Sequence, residues 1–459
     1  MRFLYRIKQL IILSGDMVSY LLGFWIALTV RHLEIPSLET ILHHANLFII
    51  LTLIWVIINY ISGLYDIGYI SHKNKQQRRA VETALFAFVA GIIYLYLRPS
   101  DSSVTPKTIL ALGIFAGYLI SMLWRMLSLR IINIKTLQKR ILFIGYTPEV
   151  IELLPILKTK GYCAKAILDK KDLTLEDKSI DTYTSVRAIR AIVNNSHIET
   201  VVVADHMQQQ KEVMQELYEL LFWPTKLYSL PEFYEDLTGR IPPCTFSESW
   251  FLAHLKNRET PVYNKWIKLV NLIGITSIGL CFILLFPFIA LAILLTSKGP
   301  VFFMQERVGL GNKTFRLYKF RSMYALAKDG SAETKGYQFA SKGDKRITPV
   351  GKFLRKTRID ELPQILNLCK GDISLIGPRP ERPEIVEQLT GHMPYYPLRH
   401  VVKPGLTGWA VLHQNYTDDI ETSLQKLQYD LYYIKNRSML VDVSIMLKTI
   451  NLIIRGLGQ

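Results

Sequence analysis

The residues best suited to chemistry lie between Lys319 and Arg379, and at their centre Asp360 and Glu361 stand side by side in "TRIDELPQIL". Alone, such a pair reads as helix-start chemistry: Asp is a favoured N-cap, Glu in the first turn complements the helix dipole, and Pro363 suits the first helical position. The surroundings change that reading. From Lys298 to Arg379 the chain carries 17 Lys and Arg against 7 Asp and Glu, which places more than half of the net charge of +17 in this stretch. "FMQERVGLGNKTFRLYKFRSM" alternates apolar and basic residues around a glycine turn, predicting a hairpin that holds Lys319 and Arg321 over one face, with Gly309 and Gly311 as turn residues. Arg379 is pinned between Pro378 and Pro380, so its guanidinium is pre-oriented for bidentate contact with phosphate.

A carboxylate held among several cations can attack phosphorus and form an acyl phosphate. A low pKa keeps it ionised, the cations and a divalent metal neutralise the phosphate charge, and the neighbouring carboxylate holds a metal or shuttles a proton. Adjacent residues cannot share one helix face, so Asp360 and Glu361 are expected to have different jobs. The residue types support metal-assisted phosphoryl transfer near a membrane and leave open which carboxylate attacks.

The scaffold around these side chains follows from composition. A chain of 459 residues has room for about three domains. With 49% hydrophobic residues and a positive mean hydropathy it is too apolar for an ordinary soluble enzyme. Combined with +17, this implies membrane segments and basic surfaces facing anionic headgroups or phosphate-bearing ligands, with no nucleic acid expected. Cys163, Cys244, Cys281 and Cys369 are scattered, which predicts free thiols, no zinc site and no disulfide framework.

Four apolar segments, near 11–30, 47–65, 84–97 and 109–126, predict a transmembrane four-helix bundle over 1–130. The third is short, and a cleaved signal peptide is not expected. Asp16 lies within the first segment and should face the bundle interior. The loop "SHKNKQQRR" and the stretch after the fourth segment are basic whereas "RPSDSSVTPK" is not, so both ends of the bundle are expected in the cytoplasm.

Residues 131–235 alternate strand and helix patterns. "RILFIGY", "AKAILD" and "IETVVVAD" read as strands, and helices follow from Pro148, over "SVRAIRAIV" and from Lys211 to Phe222. This predicts a Rossmann-like α/β middle domain with a parallel sheet. It is a degenerate one, because "GYTPEV" retains Gly145 but lacks the later glycines that let a backbone approach pyrophosphate. A connector over 236–262 leads to the last domain, 263–459. That domain begins with an apolar run of 27 residues, Leu269 to Leu295, flanked by Lys265, Lys268 and Lys298 and interrupted by Pro287. A bend at Phe286-Pro287 would make helix 266–296 re-entrant, leaving the membrane on the side it entered and keeping the basic region in the cytoplasm.

Four pieces, "KGPVFFMQERVGLGNKTFRLYKFRSM", "RIDELPQILNLCKGDISLIGPRP", "VKPGLTGWA" and "YDLYYIKNRSMLVDVSIM", resemble in order the catalytic domain of the bacterial polyisoprenyl-phosphate hexose-1-phosphate transferases, the monotopic phosphoglycosyl transferases. The spans and the middle domain resemble the long form of that family. The resemblance implies a C-terminal α/β monotopic catalytic domain with a re-entrant membrane helix. It implies Asp360 as nucleophile and a metal-proximal residue, and Glu361 as an assistant that deprotonates the acceptor phosphate or supports Mg2+. Arg379, and less strongly Lys319, Arg321 and Arg355, would bind phosphate. The reaction it implies moves hexose-1-phosphate from a UDP-hexose, glucose first and galactose next, to undecaprenyl phosphate. UMP is released through an aspartyl-phosphosugar, as the first membrane step of exopolysaccharide, capsule or O-antigen synthesis. The site would face the cytoplasm at the bacterial inner membrane, among its lipids, in a homodimer.

Asp430 and Asp442 fall in family-like motifs, with a cap or an ion pair as the plainer role, and Trp409 is expected in the core. The segment "SMLVDVSIMLKTINLIIRG" has the spacing of a helix on the membrane surface or packed in a core. Two other readings are a membrane-anchored NAD-dependent sugar-nucleotide dehydratase and a non-enzymatic polysaccharide-export subunit. Missing glycines and the absence of Tyr-x-x-x-Lys near the middle domain oppose the first. The second has no use for the motifs between Lys319 and Arg379.

Overall fold

The computed structural model describes residues 2–62, 64–65, 73–97, 106–132, 139–169, 177, 179–255, 261–325, 346–414 and 419–454. The loop "RPSDSSVTPK" lies almost wholly outside them, as do the first two residues of "SHKNKQQRR" and residues 133–138 after the fourth apolar segment. The chain forms two compact units, Met1–Thr238 and Gly239–Gln459.

Four described helices are long and apolar enough to cross a membrane: Gln9–His32, Leu38–Ile61, Ile109–Ser128 and Pro261–Thr296. The third N-terminal segment is a shorter apolar stretch, Thr83–Leu95, inside the helix Lys73–Leu97. Within the first unit the N-terminal helices bury Tyr20, Phe24, Leu28, Leu51 and Trp55 between them, and Phe24 stacks on Phe48 at 4.4 Å. Asp16 faces inward, fully buried, and its carboxylate is satisfied by Ser121 at 2.6 Å and by the Arg125 guanidinium. Such complete pairing is what allows two charges to sit among apolar helices.

The middle of the chain builds a parallel sheet in the order β3-β2-β1-β4-β5, from Lys139–Ile144 (β1), Tyr162–Leu168 (β2), Asp181–Tyr183 (β3), Thr200–Val203 (β4) and Lys226–Ser229 (β5). The inner strands β1 and β4 are apolar because helices cover both faces of such a sheet. β3 and β5 are edge strands that the sequence pattern does not reveal. The order reverses between β1 and β4, where α/β sheets of this type bind ligands. Here Gly145 closes that turn with φ +99°, and a Cβ on it would lie 2.7 Å from Ala204 Cβ and 2.9 Å from His206 Cε1. This close packing is what the first glycine of such a fold serves, the tight turn after the first strand.

The second unit is organised around the helix Pro261–Thr296, which runs unbroken through Phe286 and Pro287, where the sequence predicts a break: both residues keep helical backbone, and Phe286 stacks on Phe302. The predicted hairpin is present: β6 (Phe302–Val308) pairs antiparallel with β7 (Thr314–Phe320) across a turn in which Gly311 has φ +63°. Phe282, Phe286, Phe302 and Phe320 form a stack at the base of this hairpin. Burying a ring such as Phe320 contributes roughly 1.5–3 kcal/mol. Asn271, a polar residue inside the apolar helix, accepts hydrogen bonds from Ser374 Oγ at 3.0 Å and Leu375 N at 2.9 Å. It thereby fixes β8 (Ser374–Ile376), which pairs in parallel with β9 (Gly405–Thr407). The stretch after Gly239 adds Ile241 and Phe251 to this unit's core.

Candidate active site

Helix Pro349–Thr357 ends at Arg358, a non-glycine residue held at φ +57°. That left-handed step, which costs an L-residue on the order of 1 kcal/mol, turns the chain into the 3-10 helix Ile359–Gln364. Asp360 therefore caps nothing, and Pro363 lies inside the 3-10 turn rather than at the start of an α-helix. In a 3-10 helix neighbouring side chains diverge by about 120°. Asp360 and Glu361 consequently meet different surroundings.

Glu361 gathers cations. It accepts hydrogen bonds from Arg379 Nη2 at 2.7 Å and Lys319 Nζ at 3.1 Å, with Arg358 Nη1 at 3.8 Å. Burial alone would raise its pKa, but Arg379, Lys319 and Arg358 together hold it well below the usual carboxylate range. Asp360 behaves in the opposite way. It is 7% exposed, and its Oδ1 is buried with no hydrogen-bond donor among the described residues. Desolvation raises its pKa to about 6 against the pull of Lys319, Arg355 and Arg379, with the Glu361 charge adding to the rise. The sequence predicts an Asp360 kept ionised by a low pKa. The structure corrects this: the cations pair with Glu361, and burial dominates at Asp360. A carboxylate held as low as Glu361 is also a poor proton acceptor, so the base role expected of it does not follow from this geometry.

The basic candidates separate. Lys319 and Arg379 meet on Glu361, and burial lowers the Lys319 pKa while Glu361 opposes the shift. Arg355 bonds Ser322 Oγ at 3.0 Å and lies close enough to lower the Asp360 pKa. Arg321 goes elsewhere. Strand β7 ends at Phe320, so the alternation that would put Arg321 beside Lys319 stops one residue too early. Its guanidinium instead donates to Ser297 O at 2.7 Å and Lys298 O at 3.0 Å, fixing the chain just past the C-terminus of the long apolar helix. Arg358, not singled out in the sequence, joins the group that surrounds Glu361; its only signal there is its place two residues before Asp360.

Asn367, fully buried, sets the acidic pair against the hairpin by accepting from Tyr318 N at 3.1 Å and donating to Arg316 O at 2.7 Å. Asp430 and Asp442 take structural positions. Asp430 lies 2.7 Å from Arg399, and Asp442 accepts from Tyr433 at 3.0 Å and Trp266 at 3.3 Å. Trp409 packs on Tyr432 and donates to Gly239 O at 2.9 Å. Among the described residues no group of three or more His, Cys, Asp or Glu is assembled for a metal.

A sequence model of the family described as bacterial sugar transferase matches residues 263–456, which hold every one of these side chains. The chain is 42% identical over 232 residues to the UDP-N-acetylgalactosamine-undecaprenyl-phosphate N-acetylgalactosaminephosphotransferase of Aeromonas hydrophila, covering 50% of this chain and 53% of that protein. It is 30% identical over 283 residues to the UDP-glucose:undecaprenyl-phosphate glucose-1-phosphate transferase of Xanthomonas campestris pv. campestris, covering 58% and 54%. A protein of the same description from Klebsiella pneumoniae matches at 30% over 379 residues, covering 80% of this chain and 78% of that one. The chain thus spans about half the length of the Aeromonas and Xanthomonas relatives and more than three quarters of the Klebsiella relative.

Proposed function

The chain belongs to the bacterial sugar transferase family, and we propose that it moves hexose-1-phosphate from a UDP-hexose to undecaprenyl phosphate, with Asp360 as the nucleophile. The observation that carries this reading is the buried Asp360 Oδ1, which no hydrogen-bond donor among the described residues occupies, beside a Glu361 that holds Lys319 and Arg379 in place. A buried carboxylate oxygen without a donor is costly for the fold and is a feature of reactive sites.

In the proposed reaction an Asp360 oxygen attacks the sugar-proximal phosphorus, the bond from that phosphorus to the bridging oxygen breaks, and UMP leaves with the bonding pair. An oxygen of undecaprenyl phosphate then attacks the same phosphorus and expels the Asp360 carboxylate. The products are undecaprenyl-diphosphate-hexose and UMP. With a pKa near 6, Asp360 is ionised at neutral pH yet more basic than a solvated carboxylate, hence a better nucleophile. Lys319 and Arg379 offset the charge on the phosphates, and Glu361 aligns them by bonding both. Mg2+ fits this donor set, since that ion takes one or two carboxylates plus substrate phosphates, and Asp360 would hold it. When bound, it would neutralise phosphate charge.

Glucose is the proposed sugar, in line with the names of the Xanthomonas and Klebsiella relatives. N-acetylgalactosamine is the second reading, favoured by the Aeromonas relative's name and its 42% identity.

We place the site at the cytoplasmic face of the inner membrane; the break at Phe286-Pro287 that a dip and return would need does not appear in helix Pro261–Thr296. One face of that helix, Val270, Gly274, Ile278, Phe282, Phe286, Ile289 and Ile293, packs on its own domain. At 1.5 Å per residue that stripe runs roughly 35 Å, about the thickness of a hydrocarbon core, which argues against a simple crossing with the domain in water. A homodimer is part of the proposal. UMP release from UDP-glucose and UDP-N-acetylgalactosamine by the purified chain with undecaprenyl phosphate, and its loss in Asp360→Asn, tests the function. Turnover with neither donor, or an undiminished variant, refutes it.

A further inference from the structure

The loop that carries Arg379 is held carbonyl by carbonyl. Pro378 O accepts from Gly405 N at 2.8 Å, Arg379 O from Arg399 Nη2 at 2.9 Å, Pro380 O from Arg307 Nη1 at 3.1 Å, and Glu381 O from Val308 N at 2.9 Å. Four consecutive acceptors are thus met from β9, from the 3-10 turn Tyr396–Val401 and from β6. The two prolines add fixed φ values and contribute no donors that could pair differently. Behind the loop lies a buried charge cluster that the proposed chemistry does not use. Arg399, 1% exposed, lies 2.7 Å from Asp430 and 3.8 Å from Glu381, and it donates to the Tyr396 hydroxyl. Glu381 is also paired with Lys426 and lies 3.6 Å from Arg307. Burial opposes the Glu381 charge, yet Lys426, Arg399 and Arg307 bring its pKa down to about 2.

Buried ion clusters seldom add net stability, because desolvation consumes much of the attraction. This one has a geometric product instead. It immobilises the guanidinium fork of Arg399, and one arm of that fork holds the carbonyl of the residue whose side chain reaches Glu361 at 2.7 Å. Resting on the functional reading above, we infer that Arg399, fixed by Asp430 and Glu381, is a positioning residue: it sets Arg379 at the angle from which it meets the sugar-nucleotide phosphates.

A double-mutant cycle on the full-length chain in lipid nanodiscs tests this, with UMP release from UDP-glucose and UDP-N-acetylgalactosamine and thermal unfolding measured for every variant. Arg399→Lys keeps the buried charge but has no fork to span Tyr396, Asp430 and the carbonyl, while Asp430→Asn keeps the shape and removes the counter-charge. Each is expected to lower kcat/KM about tenfold or more when Arg379 is present, as a displacement near 1 Å can do. In the Arg379→Gln background each should cost less than about twofold. Equal losses in the two backgrounds overturn the inference, as does Arg379→Gln turning over like the parent chain. Loss of the folded chain in both variants also overturns it, since the cluster would then be holding up the domain and not the arginine. A parent chain that releases UMP from neither donor sinks the functional proposal instead, so the two failures are distinct.

Discussion

Arg379 reaches back across 18 residues to donate a 2.7 Å hydrogen bond to Glu361, while Asp360, one residue earlier, keeps a buried oxygen with no donor among the described residues. Two adjacent carboxylates are thereby made chemically unlike. One is saturated by cations and held ionised. The other is desolvated, and burial raises its pKa.

The first prediction concerns Asp360→Asn. UMP release should fall by about a thousandfold or more, as for loss of a covalent nucleophile. Stability should hold or rise, because an amide in place of a buried, donor-free carboxylate removes a desolvation penalty. Turnover and thermal unfolding on the same preparation check both halves.

The pH dependence follows from the same side chain. With Asp360 attacking as the anion, as proposed, kcat/KM should rise with pH to a limb near 6, about two units above a solvated aspartate. The folding linkage has a definite sign. The folded state holds this proton more tightly than the unfolded chain, so the Asp360 contribution to stability declines as pH rises from about 4 to about 6 and is level above that. An acid limb near 4 would contradict the burial argument.

Glu361→Gln should act through its partners. Lys319, Arg379 and Arg358 would face one another without a shared anion, which is expected to lower kcat/KM about a hundredfold and to cost about 3 kcal/mol of stability. Because the folded pKa of Glu361 is depressed, the stability it adds is present above its unfolded value and fades only in strong acid. Acid unfolding curves of parent and variant should therefore converge only well below pH 4.

Arg321→Ala separates two basic residues that look alike in sequence. Losing the bonds to Ser297 and Lys298 should cost about 1.5–3 kcal/mol in unfolding experiments, while turnover per folded molecule changes less than about twofold. Lys319→Ala should do the reverse and reduce turnover far more than stability. A matched loss of turnover in both variants would place Arg321 in the site after all.

In the N-terminal bundle, Asp16→Leu should destabilise by about 3–5 kcal/mol because it strands the buried Arg125. The double variant with Arg125→Leu should recover much of that loss. Chemical denaturation in detergent, read on each single and double variant, decides whether the pair is structural.

Much of the architecture is legible in the residues. The apolar segments, the hairpin between Phe302 and Phe320, and the strands "RILFI" and "TVVV" follow from hydrophobic period and run length, since burial on both faces leaves an apolar record. Strands β3 and β5 leave none: at the sheet's edges "DTY" and "KLYS" need no continuous apolar face. The acidic pair, the prolines around Arg379 and the crowd of cations were likewise readable, because type and spacing name a chemistry. Residue types alone left open which carboxylate attacks, and the resemblance named Asp360; how each carboxylate is paired and buried was not readable. That outcome depends on a left-handed step at Arg358, on where β7 stops, and on three cations arriving at Glu361 from strand, turn and loop far apart in the chain. Sequence fixes the kinds of charge present, whereas desolvation and pairing are properties of the space around each charge, and only the packed chain creates that space.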